Sequence, residues 1–392
     1  MPSYDLTIIG CGIHGAGVAQ AAAAKGYRVL LLEKTAVAAG TSSRSSKLIH
    51  GGLRYLETAQ FSLVRECLRE REILLRNAPE LVKLERFYIP IYRQTSRSQY
   101  IIRAGLSLYA LMGGLKKSSR FHSVPKSQWP EMDGLRTKDL QQVFRYSDAQ
   151  TDDAALTHAV LNSAVAMGAE VKLPATFVSA ELRPSDCVIR YCYDGKEFEV
   201  QSTVLINAAG PWINQILSSI SPKLPPLELD LVQGTHIVIN RELKQGFYYL
   251  ESPSDQRAIF AMPWKGKLLL GTTESKYNGI PEKVKPLQQE LDYLVDIYTH
   301  YFPESPSSGV PLIDSFAGLR VLPASKKTVF KRSRETQLIV DNEYCPKLLT
   351  ILGGKLTSYR ATAQNVMRRL QSELPVAKKY ADTANIPLVP DL

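Results

Sequence analysis

Gly10-Cys11-Gly12-Ile13-His14-Gly15 spaces glycines as G-x-G-x-x-G directly after the apolar run Tyr4-Asp5-Leu6-Thr7-Ile8-Ile9, and a second apolar run, Arg28 to Leu32, ends in Glu33. These residue types at this spacing suit a dinucleotide. The first glycine permits a tight turn, the second lets backbone approach a pyrophosphate, and the third lets the following helix pack close to the strand. That helix, Ala16 to Lys25, presents its positive N-terminus to the phosphates. Glu33 would accept hydrogen bonds from a ribose hydroxyl and repel a 2′-phosphate, which selects FAD or NAD over NADP. Glycines also collect in surface turns, but here strand, helix and acid stand in register.

The elements that must hold this loop follow from hydrophobic periodicity. Phe61 to Arg76 reads as a helix with Phe61, Val64, Leu68 and Leu75 on one face, and residues 153 to 167 read as another. Glu170 to Leu173 and the buried run Thr203 to Asn207 read as strands, so strands and helices alternate as in a parallel sheet. Between about Leu227 and Thr273 the pattern changes: Thr235 to Ile239, Ala258 to Met262 and Lys267 to Leu270 suggest an antiparallel meander. Leu348 to Leu352 is then a strand, Gly353-Gly354 a turn and Lys355 to Leu370 a helix. The expected fold class is α/β, a Rossmann-type FAD/NAD(P)-binding domain with an inserted α+β lobe on a mostly antiparallel sheet. The expected boundaries are 1–90, 150–215 and 310–375 for the nucleotide domain, 91–149 and 216–309 for the second, substrate-binding lobe, and 376–392 for a polar tail.

At 392 residues the chain exceeds what one growing core accommodates, which supports two lobes. Its net charge of +10 suits an anionic substrate or membrane surface as well as simple solubility; no nucleic-acid motif is present. Cys11, Cys67, Cys187, Cys192 and Cys345 are scattered without C-x-x-C pairs, which implies neither zinc nor a disulfide framework, and fits a reducing cytoplasm. The first strand begins too early for a secretory signal, and no run approaches the ~18 apolar residues of a spanning helix.

The run Thr41-Ser42-Ser43-Arg44-Ser45-Ser46-Lys47-Leu48-Ile49-His50-Gly51-Gly52-Leu53-Arg54-Tyr55-Leu56 resembles the signature of the FAD-dependent glycerol-3-phosphate dehydrogenases. The similarity continues through Tyr146-Ser147-Asp148, Asp152-Asp153-Ala154, Asn207 to Trp212, Gly234 to Val238, Gly271-Thr272-Thr273 and Gly353 to Thr357, covering residues 3 to 372. It departs from the family pattern at His14, where asparagine is usual, at Glu274, where the family has aspartate, and at Val321 in place of proline. The resemblance ends before the C-terminal helical domain with which bacterial members continue.

The resemblance implies a two-lobed flavoprotein of the D-amino-acid-oxidase type with non-covalent FAD. Such enzymes oxidise sn-glycerol 3-phosphate to dihydroxyacetone phosphate and pass electrons to quinone or, in the oxidase branch, oxygen. The cofactor residues it implies are Gly10, Gly12, Ile13, His14 and Gly15 in the glycine loop, Glu33 and Lys34 after the second strand, and Thr41, Ser42, Ser43, Ser46, Lys47 and Leu48 in the hydroxyl-rich run. His50, Gly51 and Gly52 follow, with Ala209, Gly210, Trp212, Gly318, Arg320, Gly354, Lys355, Leu356 and Thr357 beyond. No metal is implied. For the substrate, Arg54 offers a guanidinium fork to a phosphate, with Tyr55 beside it, and Lys355 is a second cation at the expected start of a helix. His50 is the candidate base, His236 the competing one, and Arg320 a stabiliser of the developing alkoxide. Asp152 and Asp153 are expected to cap a helix. The alternative reading is a flavin oxidase of the same architecture acting on another hydroxy acid, an amine or an amino acid.

Gln99 to Lys117 has an apolar body flanked by Arg93, Arg97, Arg103, Lys116, Lys117 and Arg120. That composition suits a helix in a lipid headgroup layer and equally one packed on the substrate lobe. The expected location is the cytoplasm, with peripheral attachment to the inner membrane face and quinone as acceptor as the membrane form of that reading.

Overall fold

The computed structural model describes residues 1–303, 309–324, 335–377 and 380–390. The apolar run at the start becomes the strand Ser3–Ile9, which lies between Lys196–Asn207 and Val29–Leu32, parallel to both, with Leu6 opposite Val204 and Val29. Leu348–Leu352 continues the parallel set on the far side of Lys196–Asn207. These strands form the centre of a 9-stranded sheet. Their side chains are apolar on both faces, since Leu6, Ile8, Val29 and Leu31 pack with the helices while Tyr4, Ile9, Leu30 and Leu32 pack with Ala175, Ile189 and Tyr191 of the antiparallel strands. The helix Ile13–Ala23 is small-residue-rich and almost wholly buried. A Cβ on Gly17 would stand 2.7 Å from the Tyr359 ring, so glycine there admits the helix Tyr359–Arg369 at close range.

The second sheet has 10 strands, and the expected meander lies in it as Leu229–Ile239, Lys267–Gly271, Ala258–Trp264 and Phe247–Glu251 in neighbouring order. Its core is aromatic and aliphatic, with Tyr88, Tyr92, Tyr248, Tyr298 and Phe302 on one face. The mixed α/β class is as expected, but the sheets do not follow the expected boundaries. Leu48–Ile49, Val82–Tyr92 and Leu312–Pro323, placed by sequence in the nucleotide domain, are strands of the second sheet. The reason is pairing: Val82–Tyr92 runs antiparallel to Leu140–Thr151, and Leu312–Pro323 to Leu229–Ile239. The chain therefore crosses between lobes repeatedly.

Two local expectations also change. The last helix starts at Tyr359, not Lys355, because Gly354 has φ +106 and the Thr357 hydroxyl accepts a hydrogen bond from the His50 N–H at 3.2 Å. Residues beyond 380 are docked: Asn77 Nδ2 donates to the Ala384 carbonyl at 2.8 Å, and Leu388 N–H donates to the Asn77 carbonyl at 2.7 Å. Positions 378–379 and 391–392 of the expected tail lie outside the described residues.

Candidate active site

The nucleotide loop is built from backbone that only small residues tolerate. Gly10 has φ +100, and a Cβ on Gly15 would sit 1.9 Å from the Gly10 carbonyl oxygen. Glu33 holds this loop: its Oε2 accepts from the Cys11 N–H at 2.8 Å while Oε1 accepts from the Thr35 N–H at 2.9 Å. Oε1 also accepts from the Thr35 hydroxyl at 3.1 Å, so Oε2 is the oxygen that retains acceptor capacity for a ribose hydroxyl. Ser42 Oγ accepts from the Ile13 N–H at 2.9 Å, so the hydroxyl-rich run folds back over the helix start. Thr41 Oγ1 donates to the Leu319 carbonyl at 2.6 Å, tying that run to the strand carrying Gly318 and Arg320.

His14 is half-buried in this cradle, with its Nδ1 turned inward. Burial holds its imidazole neutral, with its pKa down at about 4, and Nδ1 is buried without a hydrogen-bond partner among the described residues. A Cβ on Gly354 would meet His14 Nε2 at 2.2 Å, so the glycine loop and the Gly353-Gly354 turn are in contact.

Lys47 does not point outward as a free cation. Its ammonium is 5% exposed as a residue and donates to Asp153 Oδ1 at 2.6 Å and to the Ser43 carbonyl at 2.5 Å. Asp153 Oδ2 also accepts from Ser45 N–H at 2.9 Å and Ser45 Oγ at 2.6 Å. Asp152 is the N-cap residue, accepting from the Ala154 and Ala155 N–H groups, and Asp153 Oδ1 also accepts from the Ala154 N–H at 3.0 Å, so both expected acids meet the helix start. A second buried acid, Asp148, accepts from Arg71 Nη1 at 2.6 Å and the Tyr109 hydroxyl at 2.8 Å. That hydroxyl in turn accepts from the Gly51 N–H at 2.9 Å, which fixes the Gly51-Gly52 turn from beneath.

The candidate substrate groups converge beyond that turn. Lys355 Nζ lies 3.6 Å from the Tyr55 ring centre, and the Arg54 guanidinium lies 5.8 Å from the same ring. Burial and then the nearby Arg54 charge draw the Arg320 guanidinium down to about 10. Arg320 Nη2 donates to Thr272 Oγ1 at 3.2 Å and Nη1 reaches Glu274 Oε1 at 3.5 Å. Gly234 makes room for it: a Cβ there would stand 2.9 Å from Arg320 Nη2. His50 faces the Phe260 ring edge-on at 6.4 Å between centroids.

The two histidines are placed differently. His50 is half-buried, whereas His236 is 1% exposed, stacked on Phe316 at 5.0 Å, and paired through Nε2 with Ser46 Oγ at 2.9 Å. Burial, then Arg320 and Lys47, hold His236 neutral with its pKa down at about 3. Such a ring orients Ser46 more readily than it exchanges protons with solvent. Trp212 and Lys34 stand apart from the cation cluster, with Lys34 Nζ 4.4 Å from the Trp212 ring and 2.9 Å from Glu282 of the second lobe. Leu48 and Leu356 pack into core. Sequence reasoning missed Tyr109 and the loop-tying role of Asp153; Tyr109 carried no signal apart from its place on an apolar helix.

A glycine loop at the head of a parallel sheet, in a chain that also builds a second, mostly antiparallel sheet, is the frame of a two-lobed dinucleotide-dependent oxidoreductase. The profile of the FAD dependent oxidoreductase (DAO) family matches residues 5–360, and the chain belongs to that family. It is 36% identical over 377 residues to a glycerol-3-phosphate dehydrogenase of Pseudomonas aeruginosa, covering 94% of this chain and 72% of that one. It is also 36% identical over 378 residues to a D-erythritol 1-phosphate dehydrogenase of Brucella abortus, covering 95% and 74%. Among solved structures, the Bacillus halodurans glycerol-3-phosphate dehydrogenase complexed with FAD superposes with a TM-score of 0.77 at 26% identity, covering 98% of this chain and 68% of that chain. FAD is therefore the cofactor, and the cradle fits it: glycines where a Cβ would obstruct, and a buried imidazole nitrogen with no protein partner.

Proposed function

We propose that this chain oxidises sn-glycerol 3-phosphate to dihydroxyacetone phosphate and passes the electrons to a quinone. The observation that carries the reading is the cluster of Arg54, Lys355 and Arg320 around Tyr55, which collects cations where a small anion would lie. Bound FAD would supply the hydride acceptor, and the Gly10 to Gly15 loop, Glu33, Ser42 and the Gly353-Gly354 turn would hold it. Arg54 and Lys355 grip the phosphate dianion, the first through its planar fork and the second as a point charge. His50 takes the proton of the C2 hydroxyl while Arg320 stabilises the negative charge growing on that oxygen. His236 holds Ser46 in place. Holding substrate and base together on rigid turns supplies the orientation that the reaction needs.

No helix among the described residues is long and apolar enough to cross a membrane. The helix Gln99–Met112 buries Leu106, Tyr109 and Ala110 while leaving Tyr100, Ile101 and Leu111 at 75%, 60% and 62% exposure. Arg103, Lys116, Lys117 and Arg120 are exposed around that apolar face. The reading includes peripheral attachment through this face to the inner side of the cytoplasmic membrane, where a quinone dissolves. Tyr109, on the opposite side of the same helix, bonds the Gly51 turn, so this surface lies one side chain from the site.

Anaerobic addition of sn-glycerol 3-phosphate should bleach the oxidised flavin band, and readmitting a quinone should restore it. A yellow protein that does not bleach would overturn the substrate. Failure to sediment with anionic vesicles at low salt would overturn the membrane attachment alone.

A further inference from the structure

Arg97 is one of the cations flanking the apolar body of Gln99 to Lys117, but its side chain is only 19% accessible and is committed to two acids. Nε and Nη2 grip the Glu57 carboxylate as a fork, Nη2 meeting Oε2 at 2.9 Å, while Nη1 donates to Glu251 Oε2 at 2.6 Å. Glu251 closes the strand Phe247–Glu251 of the second sheet and also accepts from the Ser96 N–H at 2.6 Å and the Ser96 hydroxyl at 2.8 Å. An isolated exposed ion pair contributes little, but a bidentate arginine bridging two carboxylates in a partly buried network keeps its geometry. The sheet is the anchored end of this network, and Glu57 is the end that is held.

Glu57 belongs to the short 3₁₀ turn Leu53–Thr58, which also carries Arg54 and Tyr55. Side chains three residues apart eclipse in that geometry, so Glu57 and Arg54 share one face. The turn hangs between two left-handed joints, Gly52 at φ +74 and Ala59 at φ +55, and neither neighbouring segment continues its axis. Tyr55, 6% exposed, plants the turn in the core, with Leu53 and Leu56 packed beside it. Apolar packing is non-directional: it sets where the turn lies, whereas a fork on the Arg54 face fixes how the turn is rotated.

Resting on the reading above in which Arg54 grips the substrate phosphate, we propose that Arg97 is a positioning residue for that grip, aiming Arg54 from the second sheet through Glu57. It governs how tightly the phosphate is held, not the proton and hydride steps at the oxidised carbon.

Rapid mixing of anaerobic holoenzyme with sn-glycerol 3-phosphate separates the two effects: the concentration giving half the limiting rate of flavin bleaching reports the grip, and the limiting rate reports the chemistry. Arg97→Met should raise that concentration at least ~5-fold and leave the limiting rate within ~2-fold, and inorganic phosphate should weaken as a competitor by the same factor. Glu57→Gln, at a side chain 40% exposed and so tolerant of change, should move both readings in the same direction. Both substitutions break one contact, so the double variant should shift no further than the larger single, whereas general loosening would add. Half-saturation within twofold of wild type in both single variants overturns the proposal, as does a fall in limiting rate with phosphate inhibition unmoved, or additive shifts in the double variant. If Arg97→Met does not fold, Glu57→Gln decides by the same readings. If wild type is not bleached by glycerol 3-phosphate, the functional reading falls and this proposal with it. Bleaching of wild type with an unmoved phosphate grip in the variants removes the role of Arg97 alone.

Discussion

Lys47 and Asp153 form a buried ion pair at 2.6 Å that joins the loop between the lobes to the first turn of a helix. The same carboxylate holds Ser45 through both its N–H and its hydroxyl, so one acid sets the path of the segment leading to the candidate base. Asp153→Ala should strand the Lys47 charge in a nearly dry site and cost about 3–5 kcal/mol. Urea unfolding of holoenzyme should show the loss, and the purified variant should carry less FAD than wild type.

Tyr109 is the next support along. Tyr109→Phe removes an acceptor for the Gly51 N–H and a donor to Asp148. Leaving buried polar groups short of partners costs about 1–3 kcal/mol, visible in the urea midpoint. Because Gly51 precedes the turn that leads to Arg54, turnover of glycerol 3-phosphate should fall more than flavin content does.

Stability should fall below neutral pH. An unfolded imidazole takes its proton near pH 6.5, whereas His236 in the fold does so at about 3 and His14 at about 4. Between those values the unfolded chain binds protons that the folded chain refuses, so stability is lost as pH drops through 6.5. From pH 7 to 5 the His236 share is about 2 kcal/mol. Urea unfolding at both pH values should show His236→Gln losing about that much less than wild type; an equal loss would mean that His236 is protonated in the fold.

Lys355→Met keeps much of the side chain's contact with the Tyr55 ring while deleting the charge. If Lys355 grips the phosphate, KM for glycerol 3-phosphate should rise about 10- to 100-fold, as loss of a charge-assisted hydrogen bond predicts, with flavin content unchanged. Steady-state kinetics at saturating acceptor measures this.

The nucleotide half of the fold was legible because its signals are local: Gly10, Gly12, Gly15 and Glu33 fall within one strand-helix-strand unit. The lobe boundaries were not, since Leu312–Pro323 has the same apolar pattern whichever sheet it joins, and only its partner Leu229–Ile239 decides. At the site, Arg54, Lys355 and Arg320 could be named from motifs that resemble a known family. Their mutual placement, and the commitment of Lys47 to Asp153, depend on residues about a hundred or more positions apart. A lysine in a polar run carries no mark of the acid that will claim it.

The strand Lys196–Asn207 has Ser3–Ile9 on one side and Leu348–Leu352 on the other. During synthesis the ribosome delivers the first neighbour at once and the second only after nearly the entire chain has emerged. Until then Leu205 and Ile206 present an unpaired, apolar edge, and the nascent protein must be kept from pairing with its neighbours. Truncation before Leu348 should therefore yield aggregates instead of a smaller folded lobe, and growth under conditions that overload chaperones should deplete this protein early.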